Sequence, residues 1–179
     1  MSEKTKFLEV KDLVVEYMSD GQVVHAVNGV SLHLERGKTL GLVGETGAGK
    51  TTIAKSILRI LPDVGCRIAG GEIHLEGQDM LKLPEHEMRK IRGKDITMIF
   101  QEPMTSLNPI FTIGSQLDEV SALHLGFDKQ QAKEKSIEML DLVGIARAAE
   151  VYKSYPHELS GGMRQRVMIA MALACNPKL

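Results

Sequence analysis

The residues with the clearest chemical purpose are Gly44-Glu45-Thr46-Gly47-Ala48-Gly49-Lys50-Thr51, a complete G-x-x-x-x-G-K-[ST] run. A chain of phosphates carries several negative charges, and backbone N–H groups hold it best when no side chain intrudes. Gly44, Gly47 and Gly49 let the backbone curl so that successive N–H groups converge on an anion. A helix starting at this point turns its positive end towards the same anion. Lys50 supplies a charge that can reach the β- and γ-phosphates, and Thr51 supplies a hydroxyl for Mg²⁺. Alone, the loop does not separate kinases, GTPases and transport ATPases. A second run, Leu159-Ser160-Gly161-Gly162-Met163-Arg164-Gln165-Arg166, opens a helix much further along. Ser160 is a good N-cap, and the two glycines after it expose N–H groups at a positive helix end. By itself this run reads equally as an ordinary capped helix start.

The elements around these runs are those they need. Thr39-Leu40-Gly41-Leu42-Val43 is nearly all apolar, the pattern of a strand buried on both faces, and it leads into the glycine loop. After the loop, Ile53, Ile57, Ile60 and Leu61 recur at helical spacing from Thr52 to Leu61, and Pro62 marks the end. Upstream, Leu13–Tyr17 and Val23–Val27 read as strands around a Ser19-Asp20-Gly21-Gln22 turn, and Ser31–Leu34 alternates before a polar turn at Glu35–Lys38. Glu72–Leu75 and Ile96–Phe100 read as further strands, with a short helix over Pro84–Ile91 between them. From Glu102 the character is helical. Asp128 with Gln131 forms a capping pair, and Gly144 is placed to end that helix. The last helix runs from about Gly161 to Cys175, with Met163, Val167, Ala170, Met171 and Ala174 on one core-packing stripe.

Bulk properties narrow the classes further. The chain has 179 residues, 43% of them hydrophobic, which suffices for a domain with a real core. Lys+Arg 22 against Asp+Glu 23 gives a net charge of −1, without the basic excess usual in nucleic-acid binders. Aromatics are only 4%, with no Trp, so there is little to stack on bases. Cys66 and Cys175 are far apart and fit packing in a reducing compartment. The polar start, Met1–Lys6, leads into no long apolar run, so it does not read as a signal peptide. No apolar stretch is long enough to cross a bilayer, so any membrane association must come through a partner.

Together, these runs resemble the ATP-binding subunit of an ABC transporter. Gly44–Thr51 matches the Walker A loop, and Leu159–Met163 matches the LSGGQ signature with Met163 in the glutamine position. Gln101 falls where the family has its Q-loop glutamine, and Tyr17 matches the aromatic that stacks on adenine. Gln101-Glu102-Pro103-Met104-Thr105-Ser106-Leu107-Asn108-Pro109, Tyr155-Pro156-His157-Glu158 and Gly162-Met163-Arg164-Gln165-Arg166-Val167 are similar to the dipeptide/oligopeptide importer branch. The resemblance implies an α/β P-loop NTPase fold of the ABC nucleotide-binding type, with an N-terminal antiparallel β subdomain and a helical subdomain. It divides the chain into residues 1–101 (β subdomain and start of the ATPase core), 102–160 (Q-loop and helical subdomain) and 161–179 (signature helix).

The resemblance also implies roles. Gly44, Glu45, Thr46, Gly47, Ala48, Gly49, Lys50, Thr51 and Thr52 would wrap the phosphates of ATP, and Tyr17 would stack on the base. Thr51 and Gln101 would ligate Mg²⁺, with Lys50 and Gln101 as the catalytic pair. Ser160, Gly161, Gly162 and Met163 would act in trans on the ATP of a second, head-to-tail ATPase subunit, identical or not. Transmembrane permease subunits and, indirectly, a solute-binding protein would be the other partners. No nucleic acid is expected. The chain would lie in the cytoplasm, peripheral to the inner face of the membrane. His157 reads as a loop residue and not as the family's switch histidine.

The sequence reaches Leu179 before the Walker B acids, D-loop and switch histidine of the family pattern. The expectation is therefore a fragment truncated before the Walker B strand, incomplete for hydrolysis, in which Leu40, Leu42, Val43, Met98, Ile99 and Phe100 lack much of their packing. The alternatives are a non-transport ABC ATPase, which would show a basic surface or tandem cassettes, and an inactive nucleotide-binding gene fragment.

Overall fold

Alternation of apolar and polar residues along the first strands folds this part of the chain into an antiparallel sheet. In the computed structural model, which describes residues 6–19, 21–100 and 106–179, β1 (Lys6–Ser19) pairs with β2 (Gln22–Glu35) on one side and β3 (Cys66–Leu75) on the other. A short β4 (Gln78–Asp79) completes a four-stranded sheet in the order β2-β1-β3-β4.

The middle of β1 carries a device that decides which side chains are buried. Leu8 and Val10 are buried, and so are Leu13 and Val15, although strict alternation would send 13 and 15 to the opposite face. The register shifts between Val10 and Leu13, at Asp12, whose φ is +46°. This bulge inserts a residue and restores the apolar face. The Asp12 N–H donates to Ser31 Oγ at 2.8 Å, and Ser31 Oγ donates back to Asp12 Oδ1 at 3.0 Å. Opposite lies Gly71 at φ +96°, where a Cβ would come within 2.6 Å of three backbone atoms of Lys11, Asp12 and Leu13, so only glycine fits. The bulge also puts Tyr17 on the same parity as Leu13 and Val15.

The chain divides into two compact units, Met1–Glu85 and His86–Leu179. In the first, Leu8, Val10, Leu13, Val15, Val27 and Ile73 of the sheet are buried, as are Ile53 and Leu58 of α1 (Lys50–Leu58). α1 is shorter than the apolar spacing predicts. It ends before Pro62 because Arg59 turns left-handed at φ +52° and its Nη1 donates to Met80 O at 3.1 Å and Leu83 O at 2.5 Å.

The second unit contains α2 (Glu85–Ile91, directly after Pro84), α3 (Ile113–Leu125), α4 (Lys129–Leu142), the short α5 (Ala148–Val151), a 3₁₀ turn at Pro156–Glu158 and α6 (Gly161–Leu173). Its core contains Ile113 and Leu117 of α3, Met139 and Leu140 of α4, and Val167, Met168 and Ala170 of α6. Met163 and Met171 pack against that cluster, so the stripe read from the sequence faces the core. The capping pair forms as expected: Asp128 Oδ1 accepts from the Gln131 N–H at 2.9 Å, and Gln131 Oε1 accepts from the Asp128 N–H at 3.0 Å.

Two apolar segments do not form the expected strands. Residues 39–43 have no ladder partner among the described residues, and Leu40, Leu42 and Val43 are 45%, 42% and 98% exposed. Of residues 96–100 only Ile96 makes a bridge, to Arg92, while the Thr97 N–H donates to Leu179 O at 2.9 Å and Ile99 and Phe100 are exposed. A strand is defined by its neighbour, and apolar content alone supplies none.

Candidate functional site

The glycine loop belongs to the first unit and ends on α1. Gly47 and Gly49 both have positive φ, +85° and +79°. Gly49 is also a close-approach site: a Cβ there would lie 2.4 Å from Ala26 O of β2, so the loop is braced against the sheet by backbone contact. As the N-cap of α1, Gly49 has no side chain to occupy the first-turn N–H groups, and the first turn holds no acid. The positive end of α1 thus remains available, beneath an exposed loop formed by Gly44 to Ala48.

Lys50 Nζ donates to Gly44 O at 2.7 Å and to Glu45 O at 2.6 Å. The ammonium is therefore held over the mouth of the loop by the loop itself. An ammonium has three protons, so one donor stays free for an anion. Thr51, exposed in the first turn of α1, offers its hydroxyl on the same helix end. These groups fit a magnesium-bound triphosphate: an uncapped positive helix end, one tethered cation with a donor to spare, one hydroxyl and no carboxylate in the first helix turn.

Tyr17 is half-buried on β1, paired across the sheet with Cys66 of β3 and Val24 of β2. Thr52, in the first turn of α1, and Cys66 lie near its hydroxyl. Burial pushes the phenol above its usual range. The neighbouring Thr52 opposes this and the neighbouring Cys66 adds to it. Thr52 and Tyr17 are therefore brought together in one unit. The sequence alone gives Cys66 a packing role. It carries no motif, and only the β1–β3 register places it beside Tyr17.

The second glycine run sits in the other unit, at the start of α6. Ser160 Oγ accepts from the Met163 N–H at 3.3 Å, the N-cap that the sequence predicts. Ser160, Gly161 and Gly162 are exposed and Met163 is half-buried. Neither glycine has positive φ, and a Cβ at either would meet nothing within 4 Å. Two arginines secure this helix end. Arg164 Nε donates to Pro156 O at 2.7 Å, and Arg166 Nη1 donates to Val143 O at 2.7 Å at the end of α4. Sequence reading left both without a role, since a side chain's choice of carbonyl cannot be seen from spacing. His157 lies in the 3₁₀ turn, stacked on Tyr155 with ring centroids 5.6 Å apart. Gln101 lies outside the described residues. No helix of the described residues is long and apolar enough to cross a membrane, and no group of His, Cys, Asp and Glu among them could hold a metal by itself.

Comparison with known proteins bears on the family and the fold. A family model described as "ABC transporter" matches residues 27–179. The oligopeptide transport ATP-binding protein OppD of Bacillus subtilis (strain 168) is 49% identical over 175 residues, 98% of this chain and 49% of that protein. The protein of the same name from Escherichia coli (strain K12) is 51% identical over 172 residues, 96% of this chain and 50% of its own length. The chain thus spans about half the length of these curated relatives. In fold it is similar to the dimeric MJ0796, a bacterial ABC transporter cassette, with a TM-score of 0.83 at 24% identity, covering 95% of this chain and 70% of that one.

Proposed function

The chain belongs to the ABC transporter family, and from that premise we propose that it is the ATP-binding part of an importer that couples ATP to the uptake of di- or oligopeptides or similar small solutes. The observation that carries the reading is the character of Gly161 and Gly162. Glycine weakens a helix by up to about 1 kcal/mol against alanine, yet neither position needs glycine for its φ or for room within this chain. Bare backbone at a positive helix end suits close approach by a phosphate that this chain's own loop does not hold. In this reading Gly44 to Thr52 bind one ATP, and Ser160 to Met163 face the ATP of a second, head-to-tail ATPase subunit. Tyr17 stacks on the base. Thr51, with Gln101, holds Mg²⁺, which when bound neutralises phosphate charge. Lys50 orients the outer phosphates.

The importer assignment is supported by the named relatives, which are peptide-transport ATP-binding proteins. Permease subunits would anchor the chain to the inner face of the membrane and would choose the solute together with a solute-binding protein. The near-neutral charge, −1, favours this over a nucleic-acid partner.

Calorimetric titration with Mg-ATP tests the reading. The wild-type chain is expected to bind, and Lys50→Ala to lose at least about tenfold in affinity, as for a removed charged hydrogen bond. Equal affinity of the two proteins would overturn it.

A further inference from the structure

We propose that Arg166 is a positioning residue for the second glycine run: its guanidinium is the strut that sets the first turn of α6 against the end of α4. The proposal rests on the reading that Ser160 to Met163 face the ATP of a second subunit, and it names what aims them. Gly162 and Arg166 are one helical turn apart and share a face of α6. Helical side chains lean towards the N-terminus, so the arginine stem is directed back towards the glycine turn. A Cβ on Gly162 would still meet nothing within 4 Å, so the arginine supports that turn without covering it.

Two clefts flank the strut. One, of about 670 Å³, is bordered by Leu142, Val143, Gly162 and Ile169; the other, of about 430 Å³, by Gly144, Glu150, Leu159 and Met163. Among the described residues, Arg166 is the one that lines both. The two helices share the core through Leu140 and Val167. On their open side they are linked by Arg166 Nη1, which donates to Val143 O at 2.7 Å and Gly144 O at 3.2 Å. Gly144 sets the reach of the strut from the far side, since a Cβ there would lie 2.7 Å from Nη1. The bland reading of an exposed arginine is a solvated side chain, but this one is held by two carbonyls with space on either side of it.

The strut makes a specific demand: losing it should slow the turnover that depends on the glycine run and spare ATP capture by the Gly44–Thr51 loop, which belongs to the other unit. The test measures ATP turnover of the assembled transporter and, by calorimetry, the Mg-ATP affinity of the chain alone. Gly162→Ala, which reports on the glycine run itself, should lower turnover. Arg166→Met, which keeps the stem and loses the donors, should lower kcat roughly tenfold, the scale of a small displacement of a working group, with Mg-ATP affinity within about twofold of wild type. Gly144→Ala, which pushes the guanidinium away from the opposite side, should do the same. The double variant should be no slower than the worse single one, because both act through one strut. Arg166→Lys, whose ammonium can donate to two carbonyls as Lys50 does to those of Gly44 and Glu45, should recover kcat to within about threefold.

Several results would overturn the proposal: wild-type turnover in Arg166→Met, an equal loss of Mg-ATP affinity, additive losses in the double variant, or Arg166→Lys as slow as Arg166→Met. Slow turnover in Gly162→Ala with wild-type turnover in Arg166→Met overturns it while leaving the reading of the glycine run intact. A wild-type transporter without ATP turnover, or unchanged turnover in Gly162→Ala, removes that reading and the proposal with it. Circular dichroism melts identify a variant that fails to fold. If Arg166→Met does so, Gly144→Ala and Arg166→Lys decide. A selective turnover loss in the first and near-wild-type turnover in the second support the proposal, and any other pair of results, including a failure to fold, refutes it.

Discussion

Gly144 and Arg166 share one space: a Cβ on Gly144 would lie 2.7 Å from Arg166 Nη1, which donates to the carbonyls of Val143 and Gly144 at 2.7 and 3.2 Å. The helix that begins at the exposed glycines therefore caps the helix that ends at Leu142. The guanidinium binds the carbonyls just beyond the last turn of α4, where a cation complements the negative helix end. Gly144→Ala would force a side chain to φ +74° and push the arginine away. The expected loss is about 1–3 kcal/mol, with Arg166→Ala at about 1–2 kcal/mol. Urea unfolding measures both, and a wild-type midpoint for Gly144→Ala would contradict the shared-space account.

The opposite outcome is expected at Gly161 and Gly162. Alanine there meets open space and suits a helix better, so the melting temperature of Gly162→Ala should equal or exceed that of wild type, by at most about 1 kcal/mol. If the bare backbone serves a neighbouring subunit's phosphate, the same variant should lose ATP-dependent association or turnover in the assembled transporter. A stable variant with wild-type turnover would remove the functional reason for the glycines.

Gly49→Ala differs from both. Its Cβ would lie 2.4 Å from Ala26 O, a backbone atom that cannot swing aside, at φ +79°. The loop or β2 must shift, so destabilisation of about 2 kcal/mol or more is expected, together with loss of ATP binding. Titration and melting on the same preparation check it, and retention of both would show that the brace against β2 is dispensable.

Tyr152 provides a pH signature for the helical unit. Its phenol is pushed up to about 12, first by burial and then by its hydrogen bond to Asp118 Oδ2 at 2.5 Å. Asp118 Oδ1 also accepts from Ser136 Oγ at 2.6 Å, tying α3 to α4, and Gly114 leaves the ring its room, since a Cβ there would lie 2.5 Å from it. A folded-state pKa raised above the ordinary value near 10 gives stability that is complete below pH 10 and lost as the pH rises towards 12. The melting temperature should fall through that window, and Tyr152→Phe should remove part of the fall while costing about 1 kcal/mol at neutral pH. Parallel pH–melting curves for the two proteins would refute the assignment.

Much of the fold could be read from local chemistry. The Gly44–Thr51 loop, the Asp128–Gln131 capping pair, the Ser160 cap and the α6 stripe each depend on residues within one or two turns of each other. What could not be read depends on partners distant in sequence. The Asp12 bulge requires Gly71 and Ser31, and it decides which face Tyr17 takes. The early end of α1 depends on Arg59 reaching carbonyls at Met80 and Leu83. Cys66 lies opposite Tyr17 only through the β1–β3 register. Thr39–Val43 and Ile96–Phe100 have strand composition, but composition cannot state which neighbour will accept their hydrogen bonds.

The open run Thr39–Val43 bears on how the molecule behaves at high concentration. It is uncharged, free of proline and rich in β-forming residues, and Val43 is 98% exposed directly before the glycine loop. Such a segment is a template for edge pairing between molecules. Aggregation of this chain would therefore start beside the glycine loop, and whatever covers residues 39–43 would protect solubility and keep that loop open together.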